Sequence, residues 1–365
     1  MKIIASRDAL KVALALAVKA IPASAAQSEL SCAHFRAQGD SVEVSATDGT
    51  YSARVSFDAL IEEPGEALVS ALRLSALMRA MPDQAVTLEA DCASAAVVCG
   101  ASSSRVPALN PIGFPAFPRV EAQATVTLPF AMFKSAAARA AKFCAKPGKD
   151  DKATTLTGVL VEWGDSELRM VSTDSYRVSI ERMPIAGDGE GSAIIPQRLL
   201  ADISALDDPR SAEVAISENQ VLVRVGGCEL VSRRVAGKFP SWRKFDEVAN
   251  HQAMACFKRE ALLGAARRAL ALGRLGDHPS LAIADGCDLA ELSRDMGAEG
   301  GSSEDVPCAG AAGSVSVKLH GDYLQEALAA VPSDEVVVEW AGGRQPVMFR
   351  APDRAYRIAV MPMVG

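Results

Sequence analysis

The sequence predicts an α+β protein made of three tandem copies of one domain, each with two helices lying on an antiparallel sheet. Three landmarks, recurring in fixed order, carry that prediction. The first is a strand, a turn at an Asp and a second strand. It runs Val44-Ser45-Ala46-Thr47-Asp48-Gly49, Val171-Ser172-Thr173-Asp174-Ser175 and Leu292-Ser293-Arg294-Asp295-Met296-Gly297, with the Asp residues 126 and 121 positions apart. The second is a short strand entering a helix, at 67–81, 193–206 and 317–331, where Val69, Ile195 and Leu319 align 126 and 124 apart. The third is Phe114-Pro115, Phe239-Pro240 and Met361-Pro362, spaced 125 and 122. A period this long exceeds the ~20–50 residues of a solenoid unit and matches whole domains. The copies fall at 1–121, 122–248 and 249–365.

Each copy opens with a helix, expected at 6–21, 129–146 and 257–272. In the first, Leu10, Leu14, Val18 and Ile21 share one face at 100° per residue, with Lys19 nearly opposite. In the second, Arg139, Lys142 and Lys146 fall within one 60° arc, and Phe130, Phe133, Ala137 and Cys144 lie across from it. Strands follow. The clearest are Val159–Trp163 and Leu168–Val171, separated by Gly164-Asp165-Ser166, the punctuation of a hairpin. Thr173-Asp174-Ser175 then breaks the chain before Tyr176-Arg177-Val178, because Asp and Ser side chains bond their own backbone and hold a tight turn. Second helices are expected at 70–81, 196–206 and 320–331, each followed by more strands.

Composition narrows the function. Of the 365 residues 49% are apolar and 23% charged, which suits a globular chain of more than one core. The net charge of -7 argues against nucleic acid on its face, but the six expected helices sum to +9, so the rest of the chain carries -16. Concentrating cations on helices separates charge and suits a polyanion met by one surface. The eight cysteines include no C-x-x-C pair and the four histidines stand singly, so neither a metal site nor a redox motif is indicated. No G-x-S-x-G, G-x-x-x-x-G-K-[ST] or H-E-x-x-H occurs. Gly187-x-Gly189-x-Gly191 lies in a turn before Pro196, not where a strand enters a helix. Lys2, Arg7 and Lys11 before Val12–Val18, with Ala23-Ser24-Ala25 after, resemble a secretory leader. The repeat claims the same residues for the first helix. An exported binding protein and a cytoplasmic enzyme of unrecognised type stay open as alternatives.

Four segments carry a resemblance across the whole chain: LTGVLVEW with LRMVSTDSYRVS (156–179), VAGKFPSWRKF (235–245), DYLQEAL with DEVVVEW (322–340) and YRIAVMPM (356–363). With the threefold repeat they resemble the bacterial DNA polymerase sliding clamp, the beta subunit of the replicative polymerase. The resemblance implies a non-catalytic, cytoplasmic processivity factor without a cofactor. Two chains would join head to tail in a ring of curved sheets that encircles duplex DNA without reading its sequence. Its helices would face the DNA through Lys11, Lys19, Arg73, Arg79, Lys134, Arg139, Lys142, Lys146, Arg198, Arg267 and Arg268.

The resemblance also implies a docking pocket for short apolar peptides of polymerase subunits, the clamp loader and repair proteins. Its residues would be Leu156, Thr173, Ser175, Tyr176, Arg177, Val178, Pro240, Lys244, Phe245, Tyr323, Met361, Pro362 and Met363. The dimer interface would use Arg105, Val106, Ala108 and Leu272. Two departures from the family pattern fall at that interface. Pro107 removes a ladder donor, and 297–305, GAEGGSSED, has the composition of a loop, so a weaker dimer is expected. Ala23–Gln27 carries no cation where the family often touches DNA, and Leu319-His320 replaces a usual Phe-Asn.

Overall fold

The computed structural model describes residues 1–22, 29–146, 155–185, 189–207, 211–246, 251–271, 278–295, 297 and 300–363. Two compact units emerge, Met1–Lys134 with Arg198–Arg234, and Ser135–Gln197 with Val235–Gly365.

In chain order the elements begin with β1 (Lys2–Ser6), α1 (Arg7–Lys19), β2 (Cys32–Gln38), β3 (Ser41–Thr47), β4 (Tyr51–Asp58), β5 (Leu60–Glu63) and β6 (Gly65–Ser70). Then come α2 (Ala71–Ala80), β7 (Ala85–Ala90), β8 (Ser94–Cys99) and β9 (Ser102–Leu109). The middle stretch holds β10 (Ala124–Pro129), α3 (Phe130–Lys142), β11 (Gly158–Gly164), β12 (Glu167–Thr173), β13 (Arg177–Pro184), β14 (Gly191–Pro196) and α4 (Gln197–Ile203). It ends with β15 (Ser211–Ile216), β16 (Gln220–Val225) and β17 (Cys228–Arg233). The remainder is β18 (Ala253–Lys258), α5 (Arg259–Ala271), β19 (Ser280–Ile283), β20 (Leu289–Asp295), β21 (Gly301–Ala312), β22 (Val315–Lys318) and α6 (Gly321–Ala330). Last are β23 (Glu335–Trp340), β24 (Val347–Arg350) and β25 (Tyr356–Val360).

The first unit holds one sheet of order β10-β15-β16-β17-β4-β3-β2-β6-β9-β8-β7-β1-β5. The second holds another, β14-β11-β12-β13-β25-β24-β23-β18-β21-β20-β19-β22. The stretch 122–248 thus gives strands to both sheets.

All six expected helices are present and slightly shorter than expected. α1 starts because the Ser6 side chain accepts from Ala9 N at 3.1 Å, with Asp8 in the first turn and Lys19 in the last. Its Leu10, Ala13, Leu14, Leu16 and Ala17 are buried, and it packs on α2 and on β3 and β4. Each leucine buried there stabilises by about 2 kcal/mol. α3 stops at Lys142, four residues early. Phe143 N bonds Ala140 O at 3.2 Å, and Ala145 N turns to Leu156 O at 2.9 Å. Lys146 therefore lies beyond the helix, and the 60° arc of three cations does not form. In the second unit a core of Phe143, Phe257, Leu262, Leu281, Leu324, Leu328, Phe349 and Tyr356 packs α5 and α6 onto their strands.

The loop expected at 297–305 is corrected. Gly301 to Asp305 belong to β21, paired from Gly301 to Pro307 with β20. Tertiary pairing outweighs the Gly/Ser composition.

Two ladders share one design. β17 pairs with β4, Glu229 opposite Arg54, and two bonds bracket the ladder: Ser56 N donates to Gly227 O (2.9 Å) and Arg233 N to Thr50 O (3.1 Å). β25 pairs with β13, bracketed by Arg182 N to Ala355 O (2.8 Å) and Met361 N to Tyr176 O (3.0 Å). Equivalent strands exist once more. β9 meets β6 only at Ala108 and Leu109, and β21 meets β18 only from Cys308 onward, so Ser102–Pro107 and Gly301–Pro307 each have one flank unpaired among the described residues.

Candidate functional site

The site lies wholly in the second unit and is built around the turn at Asp174. Its carboxylate accepts from Tyr176 N at 3.0 Å and Arg177 N at 2.9 Å, while Thr173 Oγ1 donates to Arg177 O at 2.6 Å and accepts from Ser175 N at 3.1 Å. Ser175 sits at φ 78°, a left-handed conformation that the turn holds in place. The result pushes Tyr176 outward, 61% exposed. Arg177, by contrast, is buried. It pairs with Asp174 at 3.0 Å and with Glu326, and lies over the rings of Tyr323 (4.2 Å) and Phe143 (5.0 Å). A guanidinium so enclosed is a fixed wall, not a mobile surface charge.

The last described residues run alongside. Met361 N bonds Tyr176 O, and Met363 N bonds Lys318 O at 2.9 Å, leaving both Met side chains 37% exposed. Tyr176 and Tyr323 lie 6.2 Å apart, and His320 stacks on Tyr323 at 4.4 Å with His278 5.6 Å beyond. Burial and Asp174 raise the Tyr323 phenol above its ordinary value, so it stays neutral. Below, Val178 shares an apolar cluster with Leu160, Phe239, Trp242 and Met348, against which Phe245 packs. Lys244 is exposed, over the Phe245 ring at 4.9 Å. Leu156 and Pro362 are half-buried and Pro240 is exposed. Among the described residues no hydrogen bond or ring contact joins Leu156 or Pro240 to Tyr176. Exposed Tyr and Met over a buried apolar floor form a surface that can repack around apolar peptides. Sequence reasoning missed Phe143, Glu326, Trp242 and His278. Trp242 and Glu326 lie inside segments 235–245 and 322–340 that carry the resemblance, whereas Phe143 and His278 lie outside all four.

The expected DNA-facing cations divide in two. Lys19 pairs with Asp202 (3.0 Å), Lys134 with Asp207 (3.3 Å), Arg198 with Asp48 (2.7 Å) and Arg268 with Glu304 (2.9 Å). Arg139 grips Glu181 (3.0 Å), whose carboxyl is pushed up by burial against the pull of that guanidinium. Arg79 donates to Ser75 Oγ at 3.2 Å. Lys11, Arg73, Lys142, Lys146 and Arg267 are exposed and hold no ion pair among the described residues. At the expected interface Arg105 is exposed, Val106 and Ala108 are buried, and Ala108 already pairs with Val69 of β6. Leu272 lies outside the described residues. Among those residues there is no cluster of three or more metal-ligating side chains and no helix long and apolar enough to cross a membrane.

Recurring two-helix α+β repeats joined through shared sheets define the class of DNA-clamp folds. Residues 1–118 match the N-terminal domain of the DNA polymerase III beta subunit, and residues 127–241 match its central domain. A beta sliding clamp of Streptomyces coelicolor is 26% identical over 100% of this chain and 99% of its own. One from Staphylococcus epidermidis is 27% identical over 70% of this chain and 68% of its own. The sliding clamp of Bacillus subtilis superposes with a TM-score of 0.91 at 20% identity, covering 100% of this chain and 99% of its own. A Pseudomonas aeruginosa clamp bound to griselimycin gives 0.90 at 18% identity, with 100% of each chain covered. The chain belongs to the family of bacterial DNA polymerase III beta subunits, the beta sliding clamps.

Proposed function

We propose that the chain works as a non-catalytic cytoplasmic processivity ring of three domains, 1–121, 122–248 and 249–365. Two chains join head to tail around duplex DNA, and short apolar peptides of replication and repair proteins dock at the Tyr176–Tyr323–Met361 surface. The observation that carries the ring is the unfinished ladder. Two of three equivalent strand pairings are made within the chain, while β9 and β21 each keep a flank unpaired. Unpaired strands template pairing with another chain, and a head-to-tail join that closes covers both of these flanks. Because topology is indifferent to salt while phosphate contacts weaken steeply with it, loaded protein should stay on nicked circular duplex in 0.5–1 M salt, about the range that strips electrostatic binders. It should leave within minutes once the circle is cut. Equal retention on linear and circular DNA would mark an ordinary electrostatic binder.

A further inference from the structure

Phe114-Pro115 in the first copy and Phe239-Pro240 in the second each belong to a strap laid across a sheet face. In the second unit the strap seals, with Phe239 and Trp242 buried against Leu160, Val178, Ile180 and Met348. In the first unit the strap 111–119 meets a different floor and encloses a cavity of about 580 Å³. Strand pairing sets that floor. Phe35, Val44 and Val55 stand opposite one another and are buried, so His34, Ser45 and Arg54 form the next row on the other face. Coming from β15 the same row reads Glu213, Arg224, Glu229, Arg54, with the charge alternating at every strand. Ion pairs close it, Arg224 Nε to Glu229 at 2.8 Å and Arg54 Nε to Glu229 at 2.7 Å. At Ser45 the alternation stops, and a hydroxyl stands where a carboxylate would continue the ladder. The strap is held on both sides of this gap. The Phe114 ring lies 5.3 Å from His34, and Phe117 lies 4.3 Å from the Arg54 guanidinium while packing on Ala215, Leu222 and Val231.

Three arginines on separate elements line the cavity with unused donors. Arg54 turns Nη1 toward Glu43, which stays 3.9 Å away, beyond hydrogen-bond range. Arg36 lies 3.4 Å from a Glu66 carboxylate that also takes His34 at 3.1 Å. Arg119 is exposed and holds no ion pair among the described residues. Guanidinium groups with free N–H suit phosphate oxygens. The volume falls within the roughly 300–1,000 Å³ of small-molecule sites, far more than a lone anion fills. Phe114 and Phe117 supply ring faces on which a planar group can stack. The Glu43 carboxylate accepts no hydrogen bond among the described residues and can take one from a hydroxyl. We propose that the cavity under the strap binds a nucleoside polyphosphate. Its phosphates meet Arg36, Arg54 and Arg119, its base lies against the phenylalanine rings, and its sugar hydroxyls face Glu43. A bare phosphate would leave the rings unused, and an apolar peptide would bury the charged floor without partners. The site shares no residue with the Tyr176 docking surface or with the exposed helix cations.

Calorimetric titration of the whole chain with ATP, tripolyphosphate and adenosine tests this. ATP should bind at one site per chain with a dissociation constant below about 1 mM, and each of its two fragments at least ~10-fold more weakly. Arg119→Glu removes a donor and adds a repelling charge, and should weaken ATP binding at least ~10-fold. Ser45→Leu fills the gap in the floor with an apolar side chain and should weaken it by a similar factor. Because Arg119 is exposed and unpaired, its reversal should leave the melting temperature unchanged, so lost binding there is not lost folding. A wild-type chain that binds no ATP, or ATP binding that neither change weakens, overturns the proposal. Tripolyphosphate that binds as tightly as ATP marks an anion site without base recognition and overturns it too.

Discussion

The recurring Asp is a turn-builder. Asp48 accepts from Thr50 N (2.9 Å), Thr50 Oγ1 (2.7 Å) and Tyr51 N (2.7 Å), Asp174 repeats the geometry, and Asp295 accepts from Gly297 N at 2.8 Å. Burial opposes ionisation of Asp48, but the bonds from Thr50 and Arg198 win and hold its carboxyl below the ordinary value. A depressed folded value contributes stability above the unfolded pKa and loses it as pH falls through the folded one. Asp48→Asn should therefore cost about 1–2 kcal/mol at neutral pH in urea unfolding. The gap should close below about pH 4; a gap unchanged down to pH 2 would mean the charge is irrelevant. At the other turn, Met361→Glu keeps the N–H that bonds Tyr176 O but places a carboxylate on the apolar surface. Calorimetric titration with a short apolar partner peptide should show affinity at least ~30-fold weaker. Unchanged affinity would remove Met361 from the docking surface.

At the scale of elements, helices were legible because 3.6-residue periodicity and capping are local, and each lies within a few residues of its expected place. β21 was illegible because its strand character comes from β20 and β18, not from Gly301-Ser302-Ser303. The ion pairs were equally hidden, since Arg139 and Glu181, or Arg198 and Asp48, are distant in sequence. At the Asp174 turn the family pattern names Tyr176, Arg177 and Met361, yet nothing local marks Arg177 as enclosed by Tyr323 and Phe143. Arg139 changes meaning most. It belongs to α3 but secures Glu181 of β13 and lies 5.8 Å from the Tyr356 ring, so its reversal would test folding before DNA. Arg139→Ala should cost about 3 kcal/mol at pH 8, because it leaves a buried carboxylate unpaired. Since burial raises Glu181's folded value, protonation relieves the penalty, and the loss should shrink as pH falls toward 4.5. A loss constant from pH 8 to 4.5 would show that Arg139 acts by packing alone.

Across the whole molecule, charge separation survives but rests on fewer residues than a helix count suggests. Paired cations such as Lys19, Arg198 and Arg268 carry their neutralising partners with them and add little to a field beyond the Debye length of about 8 Å. Lys11, Arg73, Lys142 and Arg267, on α1, α2, α3 and α5, are exposed without ion pairs among the described residues. If the helices face the duplex, these four screen it from a body whose net charge is -7. Reversing all four to Glu moves a two-chain ring by -16 charges, two per residue, four residues and two chains. No ion pair among the described residues is broken, so melting temperature and dimer mass should hold. Loading onto nicked circles at 50 mM salt should slow at least ~10-fold, as steering is lost. Loaded rings should still stay on circles in high salt, because retention is topological. The converse reversal, at Lys19, Lys134, Arg198 and Arg268, should lower the melting temperature and slow loading less. If the two quadruple variants load alike, the exposed cations do not face DNA and the helices are not its lining.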